Sequence, residues 1–380
     1  MVAGVRVNAP FIAGILLSSL LAACGGGSST PPLPAGSPPA STSSAAAPVS
    51  AAGAPAAGAG KVNLTGAGST FDFPLFTKVF DSYDKQSGNQ VNYQSVGSGA
   101  GIEQLTKKTV DFGASDAIMT ADQEKAVGAA VIHLPVTLGA VAVGYNLAGI
   151  KGLKLDPDTL SGIYLGTIKS WDDPKIVALN PDLKIPKTAI APVERSDGSG
   201  TTYIFTNYLS AVSADWKSKV GANTSVKWPV GIGGKGSEGV AGQVSQTPGG
   251  IGYFELAYAK QNNISTITMK NQAGKFVDPS VAGATAAAAG AAANMPKDGK
   301  ALIVNGPGAA AYPITGFSWI LSYQALADAT KGRALVDLFT YTTTKGQAFA
   351  QDLYYAPLPQ QVQDVDAQLI KSLTIAGKPQ

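Results

Sequence analysis

The chain is poor in the residues that most catalytic and metal centres need. Its 380 residues include a single cysteine, Cys24, and a single histidine, His133. One cysteine excludes an intrachain disulfide, and one histidine gives little support to a zinc site or a histidine-based catalytic triad. The acid pair 172–173 is followed at once by Pro174, which favours a turn or a helix cap over a metal site. We therefore expect no metal and no cofactor.

Charge is also scarce. Charged residues make up 14% of the chain, and the formal net charge is +3. The sequence contains no basic cluster, so nothing in it indicates a nucleic-acid partner. His133, next to a leucine and a proline, is expected to be a packed residue rather than a ligand.

The N-terminus has the pattern of a bacterial lipoprotein signal. The apolar run 11–17 is too short to span a bilayer, and Leu21–Ala23 leads directly into Cys24. We expect residues 1–23 to be removed and Cys24 to be lipidated. The lipid would anchor the protein to a membrane on the periplasmic face of a bacterial cell envelope. An ordinary secretory signal with an incidental cysteine is the alternative.

The composition then divides the chain into a tether and a folded part. Residues 24–60, which begin with the cysteine, are almost wholly Ala, Gly, Pro, Ser and Thr, and predict a disordered linker. Residues 61–380 alternate strand-like and helix-like runs, which favours an α/β fold. The helix-like runs include 239–246, 325–330 and 336–342.

Three turns between a strand and a helix combine glycine with serine or threonine. They are 66–71, 97–101 and 195–202. The first amides of a helix lack an acceptor and lie at the positive end of its dipole, so small residues there let an anion approach. Arg195 adds a planar set of donors, and Asp116 ends a short strand. A Ser-Gly-Thr turn alone is only a good N-cap, but together these segments indicate a small, partly protonated tetrahedral anion.

These segments resemble the periplasmic phosphate-binding proteins that serve high-affinity phosphate ABC transporters. The similarity extends from Lys61 to the C-terminus and includes the runs 111–116, 249–253 and 312–314. It implies a two-lobed periplasmic-binding-protein fold, type II-like, with two hinge crossings and a central cleft. The implied limits are 61–137 and 315–380 for the first lobe and 138–314 for the second.

The resemblance also implies a ligand set. The phosphate-binding residues would be Ser69, Thr70, Phe71 through its backbone amide, Ser98, Asp116, Arg195, Ser199, Gly200 and Thr201. Asp197 lies two residues from Arg195 and could hold and partly neutralise it. Ionised Asp116 can accept the P–OH proton of phosphate, whereas sulfate carries no such proton near neutral pH.

We therefore expect a monomeric binding protein without enzyme activity. It would capture inorganic phosphate and deliver it to the permease subunits of an ABC importer in the inner membrane. Two alternatives remain open: a phosphate-ester hydrolase, and a phosphate sensor that works without a transporter. A hydrolase would need a base beside its nucleophile or clustered acids for metals, and the sequence shows neither.

One further motif has a structural interpretation. The run 231–236 matches a dinucleotide-binding fingerprint, but no ribose-binding acid follows at the right distance. We expect a glycine-rich connector that caps the helix beginning near Glu238.

Overall fold

The computed structural model describes residues 61–379. The predicted signal, Cys24 and the tether lie outside the described residues. Within 61–379, strands alternate with helices, which confirms the predicted α/β class. None of the helices in this range combines the length and the apolarity that a membrane span requires.

The strands and helices are numbered in chain order. Strands β1 to β15 are Asn63–Gly68, Gln90–Ser95, Phe112–Ser115, Val131–Tyr145, Lys154–Leu155, Ala191–Arg195, Ile232–Gly234, Gly250–Glu255, Ser265–Thr266, Thr268–Lys270, Phe276–Val277, Thr315–Tyr323, Ala325–Leu326, Thr374–Ile375 and Lys378–Pro379. Helices α1 to α12 are Phe73–Ser87, Ser98–Thr106, Ala121–Val127, Pro157–Tyr164, Pro174–Leu179, Gly200–Val212, Ala214–Lys219, Gly236–Gln246, Leu256–Gln261, Val281–Ala292, Ala329–Thr343 and Gln360–Lys371. Two short 3-10 helices span Lys345–Phe349 and Gln351–Leu353.

A nine-stranded sheet organises these elements. Its order is β2-β1-β3-β12-β4-β8-β6-β7, and β9 pairs with the end of β4. β1 is parallel to β2 and β3, and β6 is parallel to β7 and β8. The strands β12 and β4 lie between these two parallel groups and pair antiparallel with their neighbours. We call β1, β2, β3, β12 and the first part of β4 the first half of the sheet, and the remainder the second half.

One long strand belongs to both halves. Val131–Ala140 of β4 pairs with β12, and Val141–Tyr145 pairs with β8. The chain returns to the first half at Thr315, where β12 begins. Three residues earlier, the Tyr312 hydroxyl donates to the backbone oxygen of Val141 at 3.1 Å. These positions lie close to the predicted lobe limits, which stay a prediction.

The first part of β4 contains a proline, Pro135. Pro135 has no amide hydrogen to donate, and it sits where the register with β12 shifts between Ser318 and Trp319. A β-bulge is one of the few places in a sheet that accommodates proline.

Aromatic side chains form part of the core in both halves of the sheet. In the first half, the rings of Phe80 and Phe112 meet edge to face with centroids 6.0 Å apart. In the second half, Phe205 of α6 stacks on Tyr253 of β8 at 4.2 Å. The burial of such rings stabilises both halves, which share one continuous apolar core.

The helix predicted at 325–330 is wrong. Ala325–Leu326 pairs with β14 as strand β13, and α11 begins only at Ala329. Asp328 is the N-cap, and its carboxylate accepts hydrogen bonds from the amides of Thr330 and Lys331. Pairing with the distant C-terminal strand overrides the local helix preference of the alanines. The helices predicted at 239–246 and 336–342 lie within α8 and α11.

The predicted structural residues are confirmed. His133 is buried, its Nε2 accepts from the Met119 amide at 3.1 Å, and burial lowers its pKa to about 3. Asp173 caps α5 by accepting from the Lys175 amide. The run 231–236 leads into α8 as predicted, but its residues 232–234 form the short strand β7 rather than a connector alone.

Asp366 on α12 is a buried acid without a hydrogen-bond partner. Neither carboxyl oxygen has one within residues 61–379, and burial raises the pKa of Asp366 well above its ordinary value. A carboxyl group whose pKa is raised by folding contributes stability at low pH, and this contribution is lost as the pH rises through the folded pKa.

We therefore expect Asp366→Leu, which removes the charge at similar volume, to stabilise the protein more at higher pH. The free energy of unfolding should increase by about 1–3 kcal/mol near pH ~8 and by less near pH ~4, as measured by urea unfolding. Asp364→Leu on the exposed face of the same helix is the control. An equal effect of Asp366→Leu at both pH values would show that folding does not raise the pKa of Asp366.

Candidate functional site

The predicted site residues lie where strands end and helices begin. Ser69 follows β1, Asp116 follows β3 and Arg195 ends β6. Ser98 opens α2, and Ser199 is the N-cap of α6. The structure brings together every predicted ligand, and all are buried: Ser69, Thr70, Phe71, Ser98, Asp116, Arg195, Ser199, Gly200 and Thr201.

A glycine allows the turn after β1 to approach the end of β3 closely. Gly68 has a φ of 146°, and a Cβ at this position would lie 2.0 Å from the backbone oxygen of Ala114. The next residue, Ser69, donates its amide to the same Ala114 oxygen at 3.0 Å. Only glycine fits this approach, which places the Ser69 hydroxyl beside Asp116.

The two halves of the sheet meet directly across the site. The Ser98 hydroxyl accepts from the amides of Gly200 at 3.0 Å and Asp116 at 3.3 Å. The Gly99 amide donates to the backbone oxygen of Gly198 at 2.9 Å. The three glycine-containing turns are therefore in one place, with α2 and α6 both beginning there.

Asp116 has one occupied carboxyl oxygen and one nearly free. Its Oδ1 accepts from the hydroxyls of Ser69 and, at 2.8 Å, Ser318. Its Oδ2 accepts only a long bond, 3.4 Å, from Thr201. Burial raises the pKa of Asp116 to about 6, although these hydroxyl bonds and the charge of Arg195 oppose that rise. When this carboxyl group is ionised, Oδ2 is available to a proton donor.

Arg195 is held by two parallel hydrogen bonds to Asp197. Nε donates to Oδ1 at 2.7 Å and Nη2 donates to Oδ2 at 2.6 Å, as the sequence predicted. Burial opposes ionisation of both groups, but the pair interaction outweighs it, so the pKa of Arg195 is raised and that of Asp197 is lowered. Nη1 of Arg195 is buried and has no protein partner within the described residues, so it can donate to a ligand.

Several predicted ligand groups also bond within the protein. The Phe71 amide donates to the Ser69 hydroxyl at 3.0 Å. The Ser199 hydroxyl accepts from the Thr202 amide at 3.0 Å, which is its N-cap role. Thr70 exchanges bonds with Ser237 of α8. Some of the hydrogen bonds that join the two halves, such as those between Thr70 and Ser237, therefore use groups that the sequence analysis assigns to ligand binding.

The sequence interpretation missed Asp72, Ser237 and Ser318. Asp72 is fully buried, and its Oδ2 lies 2.6 Å from the Ser318 hydroxyl. Burial, and after it the charge of Asp116, raises the pKa of Asp72 well above its ordinary value. An acid directly after Phe71 was a signal that could have been noticed. Ser237 and Ser318 come from remote elements, and no local pattern marks them.

Comparison with known proteins shows which family the chain belongs to. Residues 42–345 match the PBP superfamily domain. The chain is 45% identical over 300 residues to the phosphate-binding protein PstS of Xylella fastidiosa strain 9a5c, which covers 78% of this chain and 82% of that protein. The chain belongs to the PstS phosphate-binding protein family. PstS of Pasteurella multocida is 44% identical over 308 residues, covering 80% and 89% of the two chains.

Solved structures support the same fold. A high-affinity periplasmic phosphate-binding protein, PfluDING, solved with bound phosphate, matches this PstS-family chain with a TM-score of 0.64 at 20% identity, covering 82% of this chain and 99% of that one. A phosphate-binding protein from Stenotrophomonas maltophilia matches with a TM-score of 0.62 at 19% identity, covering 80% and 93%. The predicted periplasmic-binding-protein fold is confirmed.

The close approach of Gly200 to Asp116 generates a prediction. A Cβ at Gly200 would lie 2.6 Å from both the amide nitrogen and Oδ2 of Asp116. Gly200→Ala should leave each half of the sheet intact but prevent this approach, and overpacking of this kind costs about 1–3 kcal/mol. We expect calorimetric titration to show phosphate affinity lowered by about tenfold or more.

Gly242→Ala is the matched control, because a Cβ at this helical position on α8 meets nothing within 4 Å. It should bind as the unaltered protein does. Unchanged affinity in Gly200→Ala would show that the ligand-bound state does not need the Gly200–Asp116 contact.

Proposed function

We propose that this protein captures inorganic phosphate between the two halves of its sheet and delivers it to the permease subunits of an ABC importer. One observation carries the proposal: a buried carboxylate acceptor, Asp116 Oδ2, and a buried guanidinium donor, Arg195 Nη1, lack adequate protein partners at the same site. A small ligand that both donates and accepts hydrogen bonds would complete both groups. Membership of the PstS family supports this assignment.

Phosphate fits this pair of groups and sulfate does not. Near neutral pH phosphate keeps at least one P–OH, which can donate to Asp116 Oδ2 in a charge-assisted bond. Sulfate would bring an oxygen lone pair against the carboxylate. An unpaired buried acceptor costs about 1–3 kcal/mol, and more when charged. Sites built around such a bond reject analogues that lack the group by roughly 10⁴–10⁵.

The anion's charge is offset mainly by dipoles. Asp197 partly neutralises Arg195, so this side chain is not a full counter-charge. The N-termini of α2 and α6 and the surrounding serine and threonine hydroxyls supply neutral donors. Buried dipoles are little screened by ions, so phosphate affinity should depend only weakly on salt.

The hydrolase and sensor alternatives predict different measurements. A hydrolase would turn over a generic phosphate ester, and replacement of Ser199 or Asp116 would abolish that turnover. A sensor would bind phosphate as proposed, but deleting the protein would leave phosphate uptake by cells unchanged. Capture and delivery predicts the loss of high-affinity uptake.

The selectivity argument gives a direct test at Asp116. We expect calorimetry to show stoichiometric phosphate binding by the unaltered protein and little binding of sulfate. In Asp116→Asn the amide can donate as well as accept, so phosphate affinity should fall. The preference for phosphate over sulfate should also narrow by about a hundredfold or more.

Asp215→Asn on the exposed α7 is the control and should bind both anions as the unaltered protein does. Failure of the unaltered protein to bind phosphate would refute the proposed function. Unchanged discrimination in Asp116→Asn would refute the role given to this carboxylate.

We also propose that the protein acts as a monomer tethered to a membrane of the bacterial envelope through lipid on Cys24. The Leu21–Ala23 run before Cys24 supports this anchoring, and residues 24–60 would serve as the tether. The folded part would then stay near the permease while remaining free to turn.

Lipidation can be tested by metabolic labelling with a fatty-acid analogue in a bacterial host. The unaltered protein should carry label on an N-terminal Cys24, as mass spectrometry would show, and Cys24→Ser should carry none. Ser28→Ala, in the tether, should be labelled normally. Absence of label on the unaltered protein would favour the ordinary secretory signal.

A further inference from the structure

The Ser318 hydroxyl lies between two buried carboxyl groups. Its Oγ is 2.6 Å from Oδ2 of Asp72 and 2.8 Å from Oδ1 of Asp116. A hydroxyl group has only one hydrogen to donate. If both carboxyl groups were ionised, one of these short contacts would place lone pair against lone pair. The arrangement therefore needs a second proton, carried by one carboxyl group and donated to Ser318.

Asp116 is the better supported carboxylate of the two. Its Oδ1 also accepts from the Ser69 hydroxyl, and that hydroxyl is oriented by the Phe71 amide at 3.0 Å. Arg195 supplies a positive charge nearby, which opposes the rise in the pKa of Asp116. Hydrogen bonds and an opposite charge both favour the ionised form.

The Ser318 and Ser69 hydroxyls also oppose the rise in the pKa of Asp72, but no positive charge within residues 61–379 does. Its side chain is fully buried, and its Oδ1 has no hydrogen-bond partner in the part of the chain that the structure describes. The ionisable groups that face it there are Asp116, Tyr93, Glu255, Tyr258 and Tyr355. None of these groups is a cation, so a charge on Asp72 would be desolvated and uncompensated. The second proton belongs on Asp72.

We propose that Asp72 and Ser318 are positioning residues that keep Asp116 ionised and ready to accept the P–OH of the ligand. Asp72 Oδ2–H donates to Ser318 Oγ, and Ser318 Oγ–H donates to Asp116 Oδ1, which leaves Oδ2 for phosphate. This proposal rests on the proposed phosphate site. It adds a determinant of specificity that does not itself touch the ligand.

The same chain of bonds explains how an unprotonated anion is rejected. To donate to sulfate, Asp116 would have to carry a proton on Oδ2. If Ser318 passed its proton to Asp116 and received the proton of Asp72, the new proton would lie on Oδ1, which faces Ser318 rather than the ligand. The negative charge would then lie on Asp72, which has no cation facing it. The site thus accepts a proton from its ligand more readily than it donates one.

The first test is the pH dependence of phosphate affinity. Asp116 must be ionised to accept the P–OH, and its raised pKa of about 6 means that affinity falls as the pH drops through that value. Ser318→Ala removes one hydrogen bond from the carboxylate and so raises the pKa of Asp116 further. As the pH is lowered, the loss of phosphate affinity in Ser318→Ala should therefore begin about one pH unit higher than in the unaltered protein.

Two conservative variants separate this role from a merely structural one. Ser318→Thr keeps the hydroxyl and should restore the original pH profile. Asp72→Asn is neutral at every pH and its amide can donate to Ser318, so its profile should match that of the unaltered protein. If Asp72 were ionised instead, Asp72→Asn would remove a negative charge beside Asp116. The acid loss of affinity would then move to lower pH, which would overturn the proposal.

The second test observes the protons directly. In protein labelled with carbon-13 at the aspartate carboxyl carbons, the NMR shift of Asp72 should be that of a protonated acid near pH ~7. The shift of Asp116 should be that of a carboxylate. Spectra of Asp72→Asn and Asp116→Asn assign the two signals. A carboxylate signal for Asp72, or an acid signal for Asp116, would overturn the proposal.

These outcomes are distinguishable from failure of the proposed function. If the unaltered protein does not bind phosphate, the phosphate site is refuted. The role in recognition given to the hydrogen-bonded chain Asp72–Ser318–Asp116 is then refuted as well. The other case is that the unaltered protein binds phosphate and Ser318→Ala, shown to be folded by its thermal unfolding transition, has an unchanged pH profile. Only the role given to Asp72 and Ser318 is then refuted. The NMR measurement does not depend on whether Ser318→Ala folds.

Discussion

A carboxylate buried at the end of β3 must have its charge offset by hydrogen bonds, and Asp116 draws them from several parts of the chain. The Ser69 hydroxyl comes from the corner after β1, Ser318 from β12, and Thr201 from the start of α6. Burial without these donors would protonate the group, because it already raises the pKa to about 6. The sheet order serves this requirement, since β3 lies between β1 and β12.

The second half of the sheet contributes a positive charge to the site, Arg195, which is held in place by Asp197. Arg195 ends β6, and its two hydrogen bonds to Asp197 fix the plane of the guanidinium while leaving Nη1 unpaired by the protein. The α6 N-terminus lies against Asp116 without an intervening side chain, because the contact residue is Gly200. Asp116 thus belongs to the first half and Arg195 to the second. A ligand that bonds to both residues would hold the two halves together.

Sequence alone predicted the local parts of this design and missed the distant ones. The residues within each glycine turn are close together in the sequence, as are Arg195 and Asp197, so local patterns predict their roles. Ser318 lies 202 positions from Asp116, so only the pairing of β12 with β3 reveals the contact. The same reason explains the one wrong helix prediction, because pairing with the distant β14 makes 325–326 a strand. The extra residue Val136, which shifts the register of β4 against β12 beside Pro135, likewise shows only in the pairing of the two strands.

The continuity of β4 has a mechanical consequence. Because Val131–Ala140 is hydrogen-bonded to β12 and Val141–Tyr145 to β8, neither half can slide along the strand without breaking a ladder. The strand can still flex at the junction, where Gly139 presents no side chain to the Phe71 ring packed against it. Sliding of one half past the other along β4 would break one of these ladders, whereas bending about the junction would keep both. Bending would therefore leave the register of each half unchanged.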